Sequence, residues 1–158
     1  MAQIATSHSD EALDIVQDAM LTLVKRYASK PETEWGPLFH RILQNRIRDW
    51  YRRQKVRHYL SGWFGSNDED DPVQTLAAAD NRGPVAQLNN AAMLEQLEQA
   101  LQALPLRQQQ TFLLRVWEGL DVNETASAMG ISNGSVKTHY SRAVHALREK
   151  LGDYYDAG

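Results

Sequence analysis

The most constraining feature of this 158-residue chain is the stretch at residues 121–142. Glu124 follows Asp121 at the spacing of a capping box, so a helix is predicted to begin there. Gly130 is suited to the left-handed conformation that ends such a helix. Ser132 then caps a second helix, whose apolar residues recur every three or four positions. Two short helices joined by a tight turn predict a helix-turn-helix motif.

The second helix of this motif has two contrasting faces. The apolar face is predicted to be buried and comprises Val136, Tyr140, Ala143, Leu147 and Leu151. The opposite face comprises Lys137, Thr138, Ser141 and Arg142. When such a helix enters the major groove, short polar and cationic side chains contact base edges and phosphates. We therefore expect these four residues to bind DNA.

The composition is uneven along the chain. No cysteine is present, which excludes disulfides and thiolate metal sites and suits a reducing compartment. The chain contains no run of about 18 apolar residues, the length that is needed to span a membrane. The net charge of −3 is a sum over unlike segments. Residues 1–57 are basic, with a net charge of +3, and residues 58–92 are acidic, with a net charge of −4. Charge segregation therefore says more than the overall charge, which alone argues against a DNA-binding protein.

A first helix is predicted over residues 10–27, after a frayed start at residues 1–9. Its predicted buried stripe comprises Leu13, Val16, Met20, Val24 and Tyr27. Asp14 and Asp18 lie four residues apart with Gln17 between them. Carboxylates in the first turn of a helix favour its dipole, but these two lie beyond the first turn. Asp14 and Asp18 instead suggest a docking surface for a basic partner.

A second helix is predicted over residues 35–55, because Pro31 prevents the first helix from continuing. Its predicted buried stripe comprises Phe39, Leu43, Ile47 and Trp50, with Leu38 and Ile42 beside it. Another face comprises Arg41, Asn45, Arg48 and Arg52. Seven cations and a single anion, Asp49, lie between residues 41 and 57. Dense cations among aromatic residues favour nucleic acid, including unstacked bases, although a solvated helix face is the simpler alternative.

The rest of the chain predicts an all-α fold with two small helical domains, at residues 1–57 and 93–158. Residues 58–92 are acidic and turn-rich, which predicts a flexible linker with at most a short helix near residues 73–79. The second domain is expected to be a four-helix module. The residues expected inside its first two helices are Met93, Leu94, Leu97, Leu101, Leu104, Phe112, Leu113, Val116 and Trp117. Gly119 and Gly152 are expected to end helices, leaving a loose tail.

Four stretches in this order resemble bacterial sigma factors of the extracytoplasmic-function (ECF) group of the sigma-70 family. Residues 14–20 resemble the helix that binds core polymerase, and residues 39–53 resemble the promoter-melting helix. Residues 104–120 resemble the start of the promoter-binding region, and residues 131–143 resemble its recognition helix. Family members carry one or two helices before the core-binding helix, so the first domain here is expected to be N-terminally shortened.

The resemblance implies a transcription initiation factor that binds core RNA polymerase, recognises the minus-10 and minus-35 promoter elements and helps to melt DNA. The residues implied to face the largest-subunit clamp are Asp14, Gln17 and Asp18. Those implied to bind the minus-10 element are Lys30, Thr33, Arg41, Asn45, Arg48, Arg52 and Arg53. Those implied to contact the minus-35 element are Lys137, Thr138, Ser141 and Arg142.

The implied partners are core polymerase, at its clamp and flap regions, promoter DNA and an anti-sigma factor. The five scattered histidines form no metal-site spacing and no glycine-rich phosphate loop is present, so we expect neither an enzyme nor a bound metal. We also expect a cytoplasmic protein with no cofactor, no small-molecule substrate and no membrane insertion. One alternative is a helix-turn-helix transcription regulator that does not act through core polymerase. Another is a decoy that uses a sigma-like fold to bind a protein. The basic helix and the acidic Asp14–Asp18 face argue against the first, and the retained cations argue against the second.

Overall fold

We describe a computed structural model of the chain, in which the backbone is defined at residues 1–63 and 85–155. Side chains are described at residues 1–59 and 92–152. These residues form seven α-helices and one π-helix and no strand, which confirms the predicted all-α class. The short helix predicted near residues 73–79 lies outside the described residues. Within the described part, no helix combines the length and the apolar character needed to cross a membrane.

The N-terminal unit consists of three helices: α1 (Ala2–Thr6), α2 (Ser9–Tyr27) and α3 (Glu32–Trp63). The prediction of a frayed start was wrong, because Ala2 and Thr6 are buried. Ala2 belongs to the apolar cluster that joins α2 to α3, so packing against these two helices holds the short α1 in place. A single turn of helix carries too little periodicity to be recognised in the sequence.

Helix α2 buries a different face from the one predicted. Its buried residues are Ala12, Ile15, Ala19 and Leu23. Leu13, Met20 and Val24 are exposed by 66%, 55% and 51%. Both sets have helical spacing, but the face with two alanines allows α2 to approach α3 closely. The larger apolar side chains therefore lie outside the core, next to Asp14 and Asp18.

Helix α3 buries the face that the sequence predicts. Leu43 and Ile47 are buried in the same cluster as Ile15 and Ala19, and Phe39, Ile42 and Trp50 pack against it. The helix is longer than expected, and it begins directly after Pro31 and continues to Trp63. Residues 58–63, assigned to the linker by their composition, therefore prolong the basic helix.

The C-terminal unit consists of α4 (Val85–Gln102), α5 (Leu106–Phe112), the π-helix (Leu113–Trp117), α6 (Val122–Met129) and α7 (Asn133–Tyr155). Residues 85–92, assigned to the linker, are helical. The predicted end of the last helix at Gly152 was wrong, because α7 continues to Tyr155. Only Gly119 and Gly130 among the described glycines have a positive φ, and both follow helix ends as predicted.

The core of this unit confirms part of the predicted apolar set. Ala100, Leu101, Leu104, Leu113, Ala143 and Leu147 form one buried cluster. Met93 and Leu94 are exposed, by 51% and 64%, at the outer end of the described part of α4. Val116 and Trp117, predicted to be inside, are exposed by 53% and 73%. The wider turn of the π-helix accounts for this, because it shifts the following residues away from the face that an α-helix would bury.

The helix-turn-helix forms as predicted. The Glu124 amide donates to Asp121 Oδ1 at 2.8 Å, and the Asp121 amide donates to Glu124 Oε2 at 2.7 Å, which completes the capping box. Gly130 follows α6 with a φ of 64°. Thr125 is completely buried and donates its hydroxyl to the Asp121 carbonyl at 2.6 Å. The buried Thr125 hydroxyl therefore has a hydrogen-bond partner.

The two units contact each other through a seam formed by α1 and α3 on one side and α4, α5 and α6 on the other. Leu106 of α5 packs on the cluster of the N-terminal unit, and Ile4 of α1 packs on the cluster of the C-terminal unit. Gln44 and Gln110 are both 2% exposed, and Gln110 Nε2 donates to the Gln44 carbonyl at 3.3 Å. The seam therefore combines apolar packing with buried amide groups.

Candidate nucleic-acid interface

The recognition helix α7 presents the four residues that the sequence singled out. Lys137, Thr138, Ser141 and Arg142 are all exposed on one face. On the opposite face Val136 and Ala143 are completely buried, so the rotation of the helix about its axis is fixed by packing. Thr138 donates its hydroxyl to the Gly134 carbonyl at 3.0 Å, which leaves its oxygen free to accept a hydrogen bond.

Local contacts fix the N-terminal end of α7. The Ser135 amide donates to Ser132 Oγ at 3.1 Å, as expected for a helix cap. Asn133 Nδ2 donates to Asn123 Oδ1 at 2.6 Å and ties α7 to α6. Two turns beyond Asn133, the Tyr140 ring stacks on Phe112 with centroids 6.3 Å apart. The contacts with α6 and α5 hold α7 at a defined angle, as major-groove binding by a helix-turn-helix requires.

A second polar face runs along α3. Arg41, Asn45, Arg48 and Arg52 lie at intervals of four, three and four residues, so they share one side of the helix. Arg48 Nη2 donates to Asn45 Oδ1 at 2.8 Å, which orients both side chains. Arg48 Nε is buried without a hydrogen-bond partner among the described residues. This face carries guanidinium groups that are available for an anionic ligand.

A cavity of about 450 Å³ opens between α2 and α3 beside this face. Its lining residues are Thr22, Arg26, Tyr27, Leu38, Arg41, Ile42, Asn45, Arg46 and Asp49. The sequence did not single out Arg26, Tyr27 or Arg46 as members of a site. Arg46 Nη2 donates to Thr22 Oγ1 at 3.1 Å across the two helices. An aromatic ring among arginines is suited to an unstacked base.

Lys30 and Thr33 lie at the junction between α2 and α3, and both are exposed. Lys30 Nζ is 3.4 Å from Glu34 Oε2, and the Lys30 carbonyl accepts a hydrogen bond from Trp35 Nε1 at 3.1 Å. Thr33 belongs to the first turn of α3. Lys30 and Thr33 therefore do not lie in one loop, because α3 has already begun at Glu32.

Arg53 does not share the face of the other predicted minus-10 residues. It lines a groove of about 270 Å³ together with Asp14, Asp18 and Arg57. Asp14, Gln17 and Asp18 are all exposed on α2, as a docking surface requires. The structure thus places one predicted strand-binding cation next to the predicted polymerase-binding acids.

Arg107, at the start of α5, is a cation near these faces that no sequence pattern singles out. Its Nη1 donates to the Met129 carbonyl at 3.3 Å. Burial, and then the nearby Arg48 and Arg52 guanidinium groups, lower the pKa of Arg107. Burial, Arg107 and Arg142 lower the pKa of His139 on the recognition helix. No local motif marks Arg107, because its cationic neighbours come from other helices.

Sequence comparison finds a matching family profile and relatives of this chain. Residues 94–147 match the family profile described as Sigma-70, region 4. The chain is 28% identical over 142 residues to an RNA polymerase sigma-E factor of Streptomyces avermitilis, covering 89% of this chain and 71% of the relative. It is 31% identical over 134 residues to the RNA polymerase sigma factor NccH of Alcaligenes xylosoxydans xylosoxydans, covering 82% and 67%. Both similarities extend beyond the helix-turn-helix into the N-terminal unit.

A solved structure shares the fold. The sigma factor RpoE of Bartonella quintana, crystallised in complex with the anti-sigma factor NepR, superposes with a TM-score of 0.63 at 24% identity. The similarity covers 96% of this chain and 87% of that protein. The helical architecture of both units therefore has an experimental counterpart.

Proposed function

Because this chain belongs to the ECF group of the sigma-70 family and is a transcription initiation factor, we propose that its two helical units divide promoter recognition between them. The observation that carries the proposal is that α3 and α7 each present a separate polar face with cationic side chains, which suits nucleic acid. The domain limits that we propose are residues 1–57 and 93–158, with the segment between them as the connection. Neither unit alone contacts both promoter elements.

The C-terminal unit reads the minus-35 element as duplex DNA. The exposed residues Lys137, Thr138, Ser141 and Arg142 lie on the leading half of α7, the part of a recognition helix that contacts base edges. A cation can form two hydrogen bonds to guanine, and hydroxyl groups accept or donate to several bases. Buried Val136 and Ala143 support this role because they hold the reading face outward.

The N-terminal unit holds the melted minus-10 strand. Arg41, Asn45, Arg48 and Arg52 contact its phosphates and bases along α3. The cavity beside Tyr27 takes one unstacked base, and Lys30 and Thr33 lie at the adjoining helix junction. Single-stranded nucleic acid is bound by cations together with aromatic platforms, which supports this division. Arg53 contributes from the neighbouring groove, through the strand backbone.

Two exposed surfaces support docking on core polymerase. On α2 the acids Asp14 and Asp18, with Gln17, lie beside exposed Leu13 and Met20, and together they form an acidic surface with apolar anchors for the clamp. In the C-terminal unit Val116 and Trp117 form an exposed apolar pair that suits the flap region. The protein binds core polymerase and promoter DNA, and we assign these surfaces to the first of these partners.

Further properties follow from membership of this family. The family consists of transcription factors, and we propose that this protein has no catalytic activity of its own. We assign it to the cytoplasm, where core polymerase and promoters meet. We also propose that an anti-sigma factor holds it inactive, an assignment supported by the complex in which the structural neighbour was crystallised.

Run-off transcription tests the proposed function directly. Purified core RNA polymerase is incubated with a library of genomic fragments, with and without this chain, and the transcripts are mapped. We expect start sites that depend on the chain and share elements about 10 and 35 base pairs upstream, since each unit reads one of them. A chain that binds DNA but yields no start sites above core polymerase alone would instead be a regulator that does not act as a sigma factor.

A further inference from the structure

His139 borders the reading face of α7, which consists of Lys137, Thr138, Ser141 and Arg142. It precedes Arg142 by three residues and the buried Ala143 by four, so it lies between the exposed and the buried side of the helix. The side chain is partly buried. Its Nδ1 atom is enclosed without a hydrogen-bond partner among the described residues, whereas Nε2 is not enclosed in this way. Nε2 is therefore the ring nitrogen that a ligand can reach.

The charged groups that act on His139 are cations from two helices. Helix α5 packs against α7, and Arg107 at its start donates Nη1 to the Met129 carbonyl at 3.3 Å, which fixes its position. Burial, then Arg107 and Arg142, lower the pKa of His139. Among the described side chains, no carboxylate forms an ion pair with any of these three residues. The surroundings of His139 therefore oppose its protonation.

Near neutral pH the free protein holds His139 in its neutral form. Like charges and partial burial both disfavour the imidazolium ion. The cations of α3 do not change this, because burial, then Arg48 and Arg52, lower the pKa of Arg107 in turn. A proton added to His139 would thus find no counter-charge within the described part of the chain.

A DNA backbone beside α7 reverses this balance. When the reading face enters the major groove, the borders of the helix face the phosphates along the edges of the groove. A phosphate at the border that His139 shares with Arg142 offsets the repulsion between them and offers an acceptor to Nε2. Because an opposite charge nearby favours the charged form, DNA raises the pKa of His139, and binding is accompanied by proton uptake.

We propose that recognition of the minus-35 duplex by α7 is linked to the uptake of one proton by His139, whose Nε2 then donates a charge-assisted hydrogen bond to a phosphate. The proton comes from solvent, both ring nitrogens then carry hydrogen, and no covalent bond in the DNA changes. The affinity for duplex DNA therefore rises as the pH falls through the range in which histidine titrates. This inference rests on the proposed function for the placement of α7 in the major groove.

The other histidine of α7 shows what distinguishes His139. The His145 side chain is 79% exposed, and its Nε2 lies 3.4 Å from Glu149 Oε1, so it already has an anionic neighbour. His139 has cationic neighbours, and its charged form requires an anion from outside the chain. The adjoining Thr138 and Ser141 hydroxyl groups suit base edges, which favours duplex DNA over an acidic protein as the source of that anion.

The test is the binding of a rhodamine-labelled minus-35 duplex, taken from a promoter mapped by run-off transcription, to the full-length chain at about pH 7.5 and about pH 5.5. Neutralising one phosphate raises the affinity for duplex DNA about 8-fold near 0.1 M salt, which is the limit for complete proton uptake. Wild-type binding should therefore tighten about 3–8-fold more than His139→Gln binding as the pH falls. At the lower pH, the wild-type log–log salt slope should be steeper by about 0.9, whereas that of His139→Gln should not change.

Two further variants make the comparison specific to a proton on His139. His139→Arg carries a permanent charge, so it should bind at about pH 7.5 as tightly as the wild type does at about pH 5.5. His145→Gln removes the exposed histidine on the distal half of α7 and should keep the wild-type dependence on pH. Thermal unfolding at both pH values verifies that each variant is folded, and His139→Asn takes the place of His139→Gln if the latter unfolds.

Two results would overturn the linkage. Equal tightening of the wild type and His139→Gln as the pH falls would show that His139 takes up no proton on binding. An affinity loss in His139→Gln that is the same at both pH values would show that the neutral ring contacts DNA and that its charge plays no part.

A duplex of scrambled sequence keeps this inference apart from the proposed function. Phosphate contacts carry no sequence information, so the scrambled duplex should bind more weakly but show the same His139-dependent tightening. The linkage is therefore tested even if run-off transcription gives no start site that depends on the chain. That outcome would overturn the proposed function, whereas equal behaviour of the wild type and His139→Gln on both duplexes would overturn only the role of His139.

Discussion

At the scale of single residues, the reading face of α7 makes the most direct prediction. Replacing Lys137 or Arg142 by Ala should weaken binding to a cognate minus-35 duplex by about 1–3 kcal/mol if the contact is bidentate to guanine. Lys150→Ala is the matched control, because Lys150 is exposed on the same helix but lies away from the reading face. Fluorescence anisotropy with a labelled duplex measures the difference. Wild-type affinity in both variants would refute the assignment of the face.

His139 gives a prediction about pH. Burial, then Arg107 and Arg142, lower the pKa of His139 from its ordinary value of 6.5. As the pH falls, His139 therefore takes up a proton in the unfolded chain before it does so in the folded chain. Its neutral form contributes fully to the free energy of unfolding above about pH 6.5, and this contribution declines as the pH falls below that value. Replacing His139 by Asn should reduce the fall in urea midpoint between about pH 7.5 and about pH 5.5.

The control for this measurement is His8→Asn, which replaces an exposed histidine in the N-terminal unit. Its urea midpoint should fall with pH as the wild-type midpoint does. An unchanged fall in the His139→Asn variant would mean that the cations near His139 do not affect its protonation.

At the scale of single elements, the capping box of α6 is a local device whose loss is measurable. Asp121→Ala removes the acceptor for the Glu124 amide and should destabilise the chain by about 1 kcal/mol. Ser127→Ala is the control, since Ser127 is exposed on the same helix outside the cap. Urea unfolding followed by circular dichroism gives both free energies. If Asp121→Ala lowered the free energy of unfolding no more than Ser127→Ala does, the cap would contribute nothing to stability.

Local signals explain which elements could be predicted. The caps at Asp121 and Ser132 and the left-handed Gly130 are properties of neighbouring residues, so the helix-turn-helix was predicted and is confirmed. The predicted buried face of α2 was wrong because two apolar stripes have the same helical period. Only contact with α3 selects the stripe with Ala12 and Ala19. The π-helix at Leu113–Trp117 has no sequence signal in this chain that distinguishes it from an α-helical turn.

The residues of the candidate site also divide into those set by local spacing and those set by packing between helices. The faces of α3 and α7 are set by spacing along a single helix, so their residues could be grouped from the sequence. The cavity beside Tyr27 and the position of Arg107 depend on how helices pack, and no sequence spacing encodes that. Arg53 was included because residues 39–53 resemble the promoter-melting helix, yet Arg52 and Arg53 are consecutive on a helix and point in different directions.

At the scale of the whole molecule, the seam consists of contacts between residues that are far apart in sequence. Gln44 and Gln110 are 66 residues apart, and His40 Nε2 lies 3.8 Å from Glu118 Oε2 across the same seam. A flexible connection between units predicts no fixed arrangement, so this packing could not be inferred from composition. It packs the unit with the predicted minus-10 face against the unit with the predicted minus-35 face, whereas two separated promoter elements require the units to act apart.

The last prediction separates docking on polymerase from DNA binding. Reversing Asp14 and Asp18 to Lys should abolish binding to core polymerase, because repulsion replaces attraction at a basic docking surface. Binding of a minus-35 duplex should persist, since α7 lies in the other unit. The double variant Glu95→Lys/Glu98→Lys makes the same change in net charge on an exposed part of α4 and should leave core binding intact. Pull-down with core polymerase, alongside duplex anisotropy, measures both activities, and survival of both in the Asp14/Asp18 variant would move the docking surface elsewhere.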